Sequence, residues 1–447
     1  MSKGLKTFPV GGVHSCDNKL SASKQIESVA LPTIVSIPLS QHIGAPAMPI
    51  VKPLDKVKVG QLIAKASGFV SANIHSSVSG TVKKIDDVPD SCGYKRPAVI
   101  IDVEGDIWEE NIDRTDSLLK EIIFDQKSII EKIQAAGIVG LGGATFPTHV
   151  KLSVPKGKTC EYLLINGVEC EPYLTSDHRL MLEKTEEIFV GIIIVMKALG
   201  VPKAIIGIEN NKKDAIDKMS AISNNYKGIS VQALKVQYPQ GGEKQLAKAL
   251  INREIPAPPG LPIDVGCVIQ NVGTIYAIYE AVQKNKPLIE RVVTITGKSI
   301  KKPSNFLARI GTPISILIQA TGGLPEDTGK IISGGPMMGK AINTTDIPVS
   351  KGTSGILVLP EELSNRKNAN NCILCAKCVS VCPLGLEPYL LSKLSLKSLF
   401  DKAENEQVVN CIECGCCSYN CPAKIPLLDF IRLAKTTVMK NIRNRVK

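Results

Sequence analysis

One pattern of cysteines occurs twice near the C-terminal end. It reads Cys372-x2-Cys375-x2-Cys378-x3-Cys382-Pro383 and then Cys411-x2-Cys414-x2-Cys417-x3-Cys421-Pro422. Three cysteines separated by two residues can wrap three corners of one iron–sulfur cubane in a tight loop. The fourth, three residues further on, lies at the start of a helical turn that points away. In two-cluster ferredoxins that fourth cysteine ligates the other cluster. The spacing therefore predicts two [4Fe–4S] clusters with crossed ligation. Cys372, Cys375, Cys378 and Cys421 would hold one, and Cys411, Cys414, Cys417 and Cys382 the other.

Zinc is the competing reading of so many thiols. Zinc sites favour paired C-x2-C units, often with histidine, and a wider gap between pairs. None of the chain's five histidines lies in this region. Cys416 breaks the spacing set by the first run, so it reads as a packing residue beside a ligand. The remaining five cysteines are scattered, as small core residues are. Clusters of this kind pass one electron each. By themselves they describe a wire and leave its source open.

The rest of the composition is that of an ordinary folded protein, with 44% hydrophobic and 21% charged residues over 447 positions. The longest apolar run, Ile188 to Met196, is too short to cross a bilayer, which takes about 20 residues. The opening MSKGLKTFPVGG has no apolar signal core, which leads us to expect a cytoplasmic protein. The net charge of +12 is uneven: from Arg432 onward there are six Lys or Arg and no acid. That stretch reads either as a solvated helical tail or as a contact for anionic lipid or an acidic partner. No zinc-finger spacing or aromatic-rich basic face accompanies it, so we expect no nucleic acid as partner.

Along the chain the pattern predicts a multidomain α/β and α+β protein. Residues 1–45 read as an irregular leader. Residues 46–124 hold short alternating strands separated by glycines, similar to the barrel-sandwich fold of biotinyl and lipoyl carriers, but without the carrier lysine motif. Residues 125–288 alternate helix and strand, which implies a parallel sheet with ligands at the C-terminal strand ends. Residues 289–364 read as strands around one helix, a small ubiquitin-like β-grasp unit. Residues 365–430 hold the cysteines in a ferredoxin-like helical domain, and 431–447 form the basic tail.

Two glycine-rich stretches invite nucleotide readings that fail. AAGIVGLGGATFPTHVK lacks the preceding strand of a dinucleotide fingerprint, and Thr145 stands at its third glycine position. Gly334-GPMM-Gly339-Lys340 nearly matches a P-loop, but Ala341 replaces the hydroxyl residue that would hold magnesium. For the first stretch two readings stay open: a bland tight loop, or a phosphate cradle of glycine amides with Lys151 nearby.

That stretch also carries a resemblance. GLGGATFPTHVK is similar to the GRGGAGFPTGLKW signature of the NADH-binding flavoprotein subunit of respiratory complex I. Three further pieces resemble that family in the same order: Asn166-GVE-CEP, Tyr238-PQGGE and VIQ-Asn271-Val-Gly-Thr274. With FPVGGVH at the start, GGPMMG and the doubled cysteine run, the whole chain resembles the RnfC components of Rnf ion-translocating electron-transport complexes, which implies that the β-grasp unit is of SLBB type. The resemblance implies FMN as a bound cofactor and NAD(H) as substrate. It assigns Gly140, Gly142, Gly143, Lys151, Asn166, Asn271 and Thr274 to the flavin. Glu169, Tyr238 and Glu243 fall near flavin and nicotinamide, with helix capping or surface duty the plain alternative for the two glutamates. Val168 and Gly242 replace two acidic residues of the family pattern. The resemblance further implies a peripheral subunit on the cytoplasmic face of the inner (plasma) membrane. Its partners would be membrane-embedded subunits, with ferredoxin reached indirectly. No catalytic acid or base is implied. A cobalamin-reductase-like protein and a non-catalytic relay or scaffold subunit are the rival readings.

Overall fold

The computed structural model describes residues 4–446 and resolves them into four bodies. The first is all-β. Strands Ile34–Pro38, Lys95–Val103, Gly80–Pro89 and Lys56–Val57 lie side by side in that order, antiparallel throughout. A three-stranded sheet of Met48–Pro49, Leu62–Lys65 and Ile74–His75 completes the sandwich. The alternation seen in the sequence supplies its core: Val35, Ile37, Ile63, Val82 and Val99 are completely buried.

The first 45 residues are not an irregular leader. Ile34–Pro38 is an integral strand of this sandwich, and Ile26–Ser28 adds in parallel to strand Ser304–Arg309 of the third body. Both strands are too short to show periodicity, and each is stabilised by a partner far along the chain. Residues 6–13 also run across the second body: Lys6 bridges to Leu234, and Val13 to Tyr238.

The second body is a parallel four-stranded sheet flanked by helices. Its strand order is Ile229–Leu234, Ala204–Glu209, Tyr162–Asn166, Cys267–Asn271. Helix Thr185–Leu199 is apolar nearly all round, as a fully buried helix must be, and ends at Gly200 with φ +66°. Gly191 lets it approach helix Val272–Gln283 closely, since a Cβ there would sit 2.5 Å from the Ile275 carbonyl oxygen.

The third body is a six-stranded mixed sheet. Its order is Ile26–Ser28, Ser304–Arg309, Glu290–Thr296, Gly355–Pro360, Thr328–Ser333, Lys340–Ile342, with helix Ile314–Ala320 packed against it. Two parallel central strands and a single helix make this the expected β-grasp arrangement.

The fourth body is helical and closes with the long helix Leu427–Val446. The expected boundary at residue 430 cuts through that helix. Leu427, Ile431, Ala434 and Val438 form its buried stripe, packed with Leu391, Leu394, Ala403 and Val408. The basic stretch is therefore part of this body rather than a separate tail. Arg432 and Lys435 pair with Glu413, and Arg445 pairs with Glu404. Lys447 lies outside the described residues. No helix among the described residues is long and apolar enough to cross a membrane.

Candidate functional site: a strand switch point facing two cysteine cavities

In the parallel sheet the chain order reverses between strands Tyr162–Asn166 and Cys267–Asn271. Such a reversal leaves a crevice at the C-terminal strand ends, where α/β folds bind ligands. Asn166 and Asn271 are the last residues of those two strands and are direct register partners. The glycine stretch lies over this point: a Cβ on Gly142 would come 3.2 Å from the Asn271 Cβ. Lys151, on the short helix Thr148–Leu152, reaches the same place. Its Nζ donates to Glu243 Oε1 at 2.6 Å and to the Ile269 carbonyl at 3.5 Å.

The two asparagines are committed to shaping the crevice. Asn271 caps helix Val272–Gln283 through Oδ1 and donates from Nδ2 to Asp177 at 2.6 Å. Asn166 donates to the Gly241 carbonyl at 2.9 Å and accepts from the Val168 amide. Thr274 is completely buried and accepts from the Leu141 amide at 2.9 Å. The Gly140 amide is likewise used, by the Phe146 carbonyl. Gly142 and Gly143 are exposed instead, and their amides meet no backbone acceptor among the described residues. Gly143 holds φ +126° with nothing within 4 Å of a would-be side chain. Free backbone donors beside an ammonium group are what a phosphate needs. The residues present thus fit a phosphate-bearing cofactor such as FMN, through backbone and Lys151 rather than through free side-chain amides.

Glu169 and Tyr238 stand elsewhere. Glu169 adopts φ +45° and caps helix Ser176–Glu183: its carboxylate accepts from the Asp177 amide at 2.8 Å and the His178 amide at 3.2 Å. Burial, with Glu169 close by, pushes the Asp177 carboxyl up to about 7. Tyr238 is buried, and its hydroxyl donates to the Cys414 carbonyl at 2.9 Å. The structure therefore joins it to the second cysteine run.

The cysteines gather in two groups. One cavity is lined by Cys372, Cys375, Cys378 and Cys421. The other is lined by Cys411, Cys414, Cys417 and Cys382, with Cys416 beside them. Each cavity thus takes three cysteines from one run and the fourth from the other. Among the described residues no three His, Cys, Asp or Glu side chains close around a single ion. Four thiols around one cavity, three from one loop and one from the other, are the donor set of a cluster. Both loops bend alike. Leu374 and Ala376 in the first run, and Glu413 and Gly415 in the second, occupy matching left-handed positions, as do Gly385 and Lys424 after the fourth cysteines. A left-handed residue with a Cβ costs about 1–2 kcal/mol, strain of the kind found at functional sites.

Several residues that build the site escaped the sequence reading. Lys19 Nζ donates to the carbonyls of Glu169, Glu171 and Leu174 at 2.6–2.9 Å. Burial, followed by the Lys212 charge, lowers it to about 8. Glu171 accepts from the Met337 and Met338 amides, tying the GGPMMG loop to the second body. Met337 in turn backs Gly415, where a Cβ would come 3.0 Å from its carbonyl. The only sequence signal was proximity: Glu171 belongs to the Asn166-GVE-CEP motif, and Lys19 follows FPVGGVH.

Comparison with known proteins agrees with this geometry. Four family descriptions match in order: an RnfC barrel sandwich hybrid domain over 6–106, a Nuo51 FMN-binding domain over 133–280, an SLBB domain over 292–341 and a 4Fe-4S dicluster domain over 364–422. The RnfC-type component of the proton-translocating ferredoxin:NAD(+) oxidoreductase complex of Clostridium ljungdahlii is 48% identical over 404 residues, 90% of this chain and 87% of that one. Its Na(+)-translocating counterpart from Acetobacterium woodii is 43% identical and aligns over 97% of both chains. This chain belongs to the RnfC family of ion-translocating oxidoreductase complexes. The corresponding component of the ion-translocating oxidoreductase complex of Rhodobacter capsulatus, 42% identical over 87% of this chain and 75% of that one, is a further member. The chain is thus an electron-transfer subunit with an FMN-binding domain and a dicluster iron–sulfur domain. Nothing in these matches supports the cobalamin-reductase or scaffold readings. The barrel-sandwich match begins at residue 6, in keeping with the strand contributed by residues 34–38.

Proposed function

We propose that this chain is the NAD-facing subunit of a ferredoxin:NAD oxidoreductase complex, exchanging electrons between NAD(H), FMN and two [4Fe–4S] clusters. It would sit on the cytoplasmic face of the membrane, held by membrane-embedded subunits that link it to ferredoxin. FMN, when bound, exchanges two electrons with a nicotinamide and single electrons with clusters. The chain's residues supply position and electrostatics. The Gly142 and Gly143 amides and Lys151 would hold the phosphate. Asn166, Asn271, Thr274 and Gly140 would keep the crevice in shape, and Glu243 would restrain Lys151 and border the nicotinamide. No side chain need act as acid or base.

The crossed cysteine groups carry this reading. The cavity of Cys382, Cys411, Cys414 and Cys417 lies against the flavin-binding body, through Tyr238 and through Gln245, whose amide donates to the Pro383 carbonyl at 3.4 Å. The other cavity opens outward, with Cys375 and its neighbours Ile373 and Leu374 exposed. The former is the inner cluster site and the latter the exit.

The test uses anaerobically reconstituted full-length chain. It should release FMN on denaturation, bind about eight iron atoms, and oxidise NADH with ferricyanide. Gly142→Trp should lose flavin and activity together while keeping its iron. A chain that binds iron but no flavin would be a relay only. A high-salt wash should strip the protein from membranes if exposed basic residues such as Lys440 and Arg443 hold it there.

A further inference from the structure

Tyr238 stands where three segments far apart in sequence meet. Its hydroxyl donates to the Cys414 carbonyl at 2.9 Å, inside the inner cysteine loop. Its backbone exchanges two hydrogen bonds with Val13, at 2.8 and 2.9 Å. The residue before Val13 donates its amide to the Val381 carbonyl at 2.9 Å, next to Cys382. Three residues beyond Tyr238, the Gly241 carbonyl accepts from Asn166, at the strand switch point. Cys416 packs on the same spot, its Sγ 3.9 Å from the Tyr238 carbonyl oxygen. An uninterrupted chain of covalent and hydrogen bonds thus runs from the crevice to a cysteine of the inner cavity. It consists of Asn166, the short peptide from Gly241 back to Tyr238, the phenol and Cys414.

We propose that Tyr238 is a positioning residue that couples the flavin site to the inner cluster, by fixing the Cys414 loop and by carrying the bonded path between them. The inference rests on the flavin and cluster reading above and adds to it a specific connection. Electron tunnelling falls steeply with distance and crosses bonded paths more readily than gaps, so this connection governs the first one-electron step. The hydroxyl also turns the positive end of its O–H dipole toward the anionic ligand loop. Positive charge density placed near a cluster raises its reduction potential. The strap of residues 11–13 holds the tyrosine and the Cys382 segment together, so both halves of the inner ligand set are located by one joint.

Tyr238→Phe in the full chain removes the hydroxyl and little else. A redox titration followed by electron paramagnetic resonance should show the inner cluster at lower potential and the outer cluster unmoved. Stopped-flow reduction by NADH should show slower filling of the clusters, by several-fold. Val13→Pro, which removes one of the backbone bonds to Tyr238, should do the same to a smaller degree. It keeps the test alive if Tyr238→Phe does not fold. Equal potentials and equal rates in a variant with normal flavin and iron would overturn the proposal and leave the functional reading standing. Loss of about half the iron, with no shift in the cluster that remains, would reduce Tyr238 to a brace and also overturn it. Absence of flavin from the unsubstituted chain would bring down the functional reading, and the coupling with it.

Discussion

Cys375 and Cys414 hold the same place in their two runs, yet one is exposed and the other buried. The contrast extends along both loops. Leu374 is 72% exposed, whereas Glu413 at the matching position pairs with Arg432 and Lys435. Lys377 faces solvent, whereas Cys416 at the matching position is completely buried against Tyr238. The local backbone is the same in both loops, down to the left-handed residues. What differs is the cover. The strap of residues 11–13, the Tyr238 segment and the GGPMMG loop all close on the inner cavity from outside the helical body. Loops of matching backbone thus become one covered and one open site through their surroundings.

Exchanging the fourth cysteines breaks this comparison most severely. Cys382→Ala should empty the inner site, although Cys382 belongs to the outer run. Iron should fall from about eight to about four atoms per chain, and NADH should no longer reduce the outer cluster. Cys421→Ala should remove a similar amount of iron but leave an inner cluster that NADH still reduces. Iron analysis and electron paramagnetic resonance of the two variants would separate the cases. The opposite assignment, each run holding its own cluster, would exchange the two outcomes.

A smaller effect is expected from the strap. Gly11 holds φ +71°, and a Cβ there would lie 2.6 Å from the backbone of Cys382. Gly11→Val should therefore displace that segment, adding about 1–2 kcal/mol of left-handed strain to the clash. The inner cluster signal should weaken and broaden while the outer one stays as it was. Exposure sharpens the comparison from the other side. On titration with ferricyanide or air the outer cluster should be lost first, read as stepwise loss of visible absorbance. Simultaneous loss would mean that the cover over the inner cavity excludes nothing.

The cysteine groups were legible in the sequence because ligand spacing is a local geometric constraint, and the crossed fourth residues followed from the pattern of two-cluster ferredoxins. The strand end at Asn166 was legible through the βα rhythm, and Asn271 through the resemblance alone. What those asparagines do was not: their side chains serve Gly241, Asp177 and a helix end, partners that no local pattern announces. The strands at 26–28 and 34–38, the strap and the Lys19 pin were invisible for the same reason. Each consists of a few residues whose stability comes from partners far away in the chain. Tyr238 was assigned to the nucleotide by likeness, and its contact with Cys414 depends on how the second and fourth bodies dock.

The smallest expected effect concerns the acid beneath the inner cover. Burial pushes the Glu171 carboxyl up to about 7, against the pull of the Met337 and Met338 amides, of Lys19 and of the Tyr238 hydroxyl. In the unfolded chain a glutamate titrates near about 4.3. Between about pH 4.5 and 7 the folded chain therefore keeps a proton that the unfolded chain has released. The contribution of Glu171 to stability falls as the pH rises through that window and levels off above it. Glu171→Gln keeps an oxygen to accept from the loop amides and cannot ionise. Its thermal midpoint, measured at a fixed scan rate from about pH 5 to 8, should change less than that of the unsubstituted chain. Relative to that chain, the variant should gain as the pH rises. Parallel profiles would mean that no buried acid supports the inner cover, and the difference between the two cavities would then rest on exposure alone.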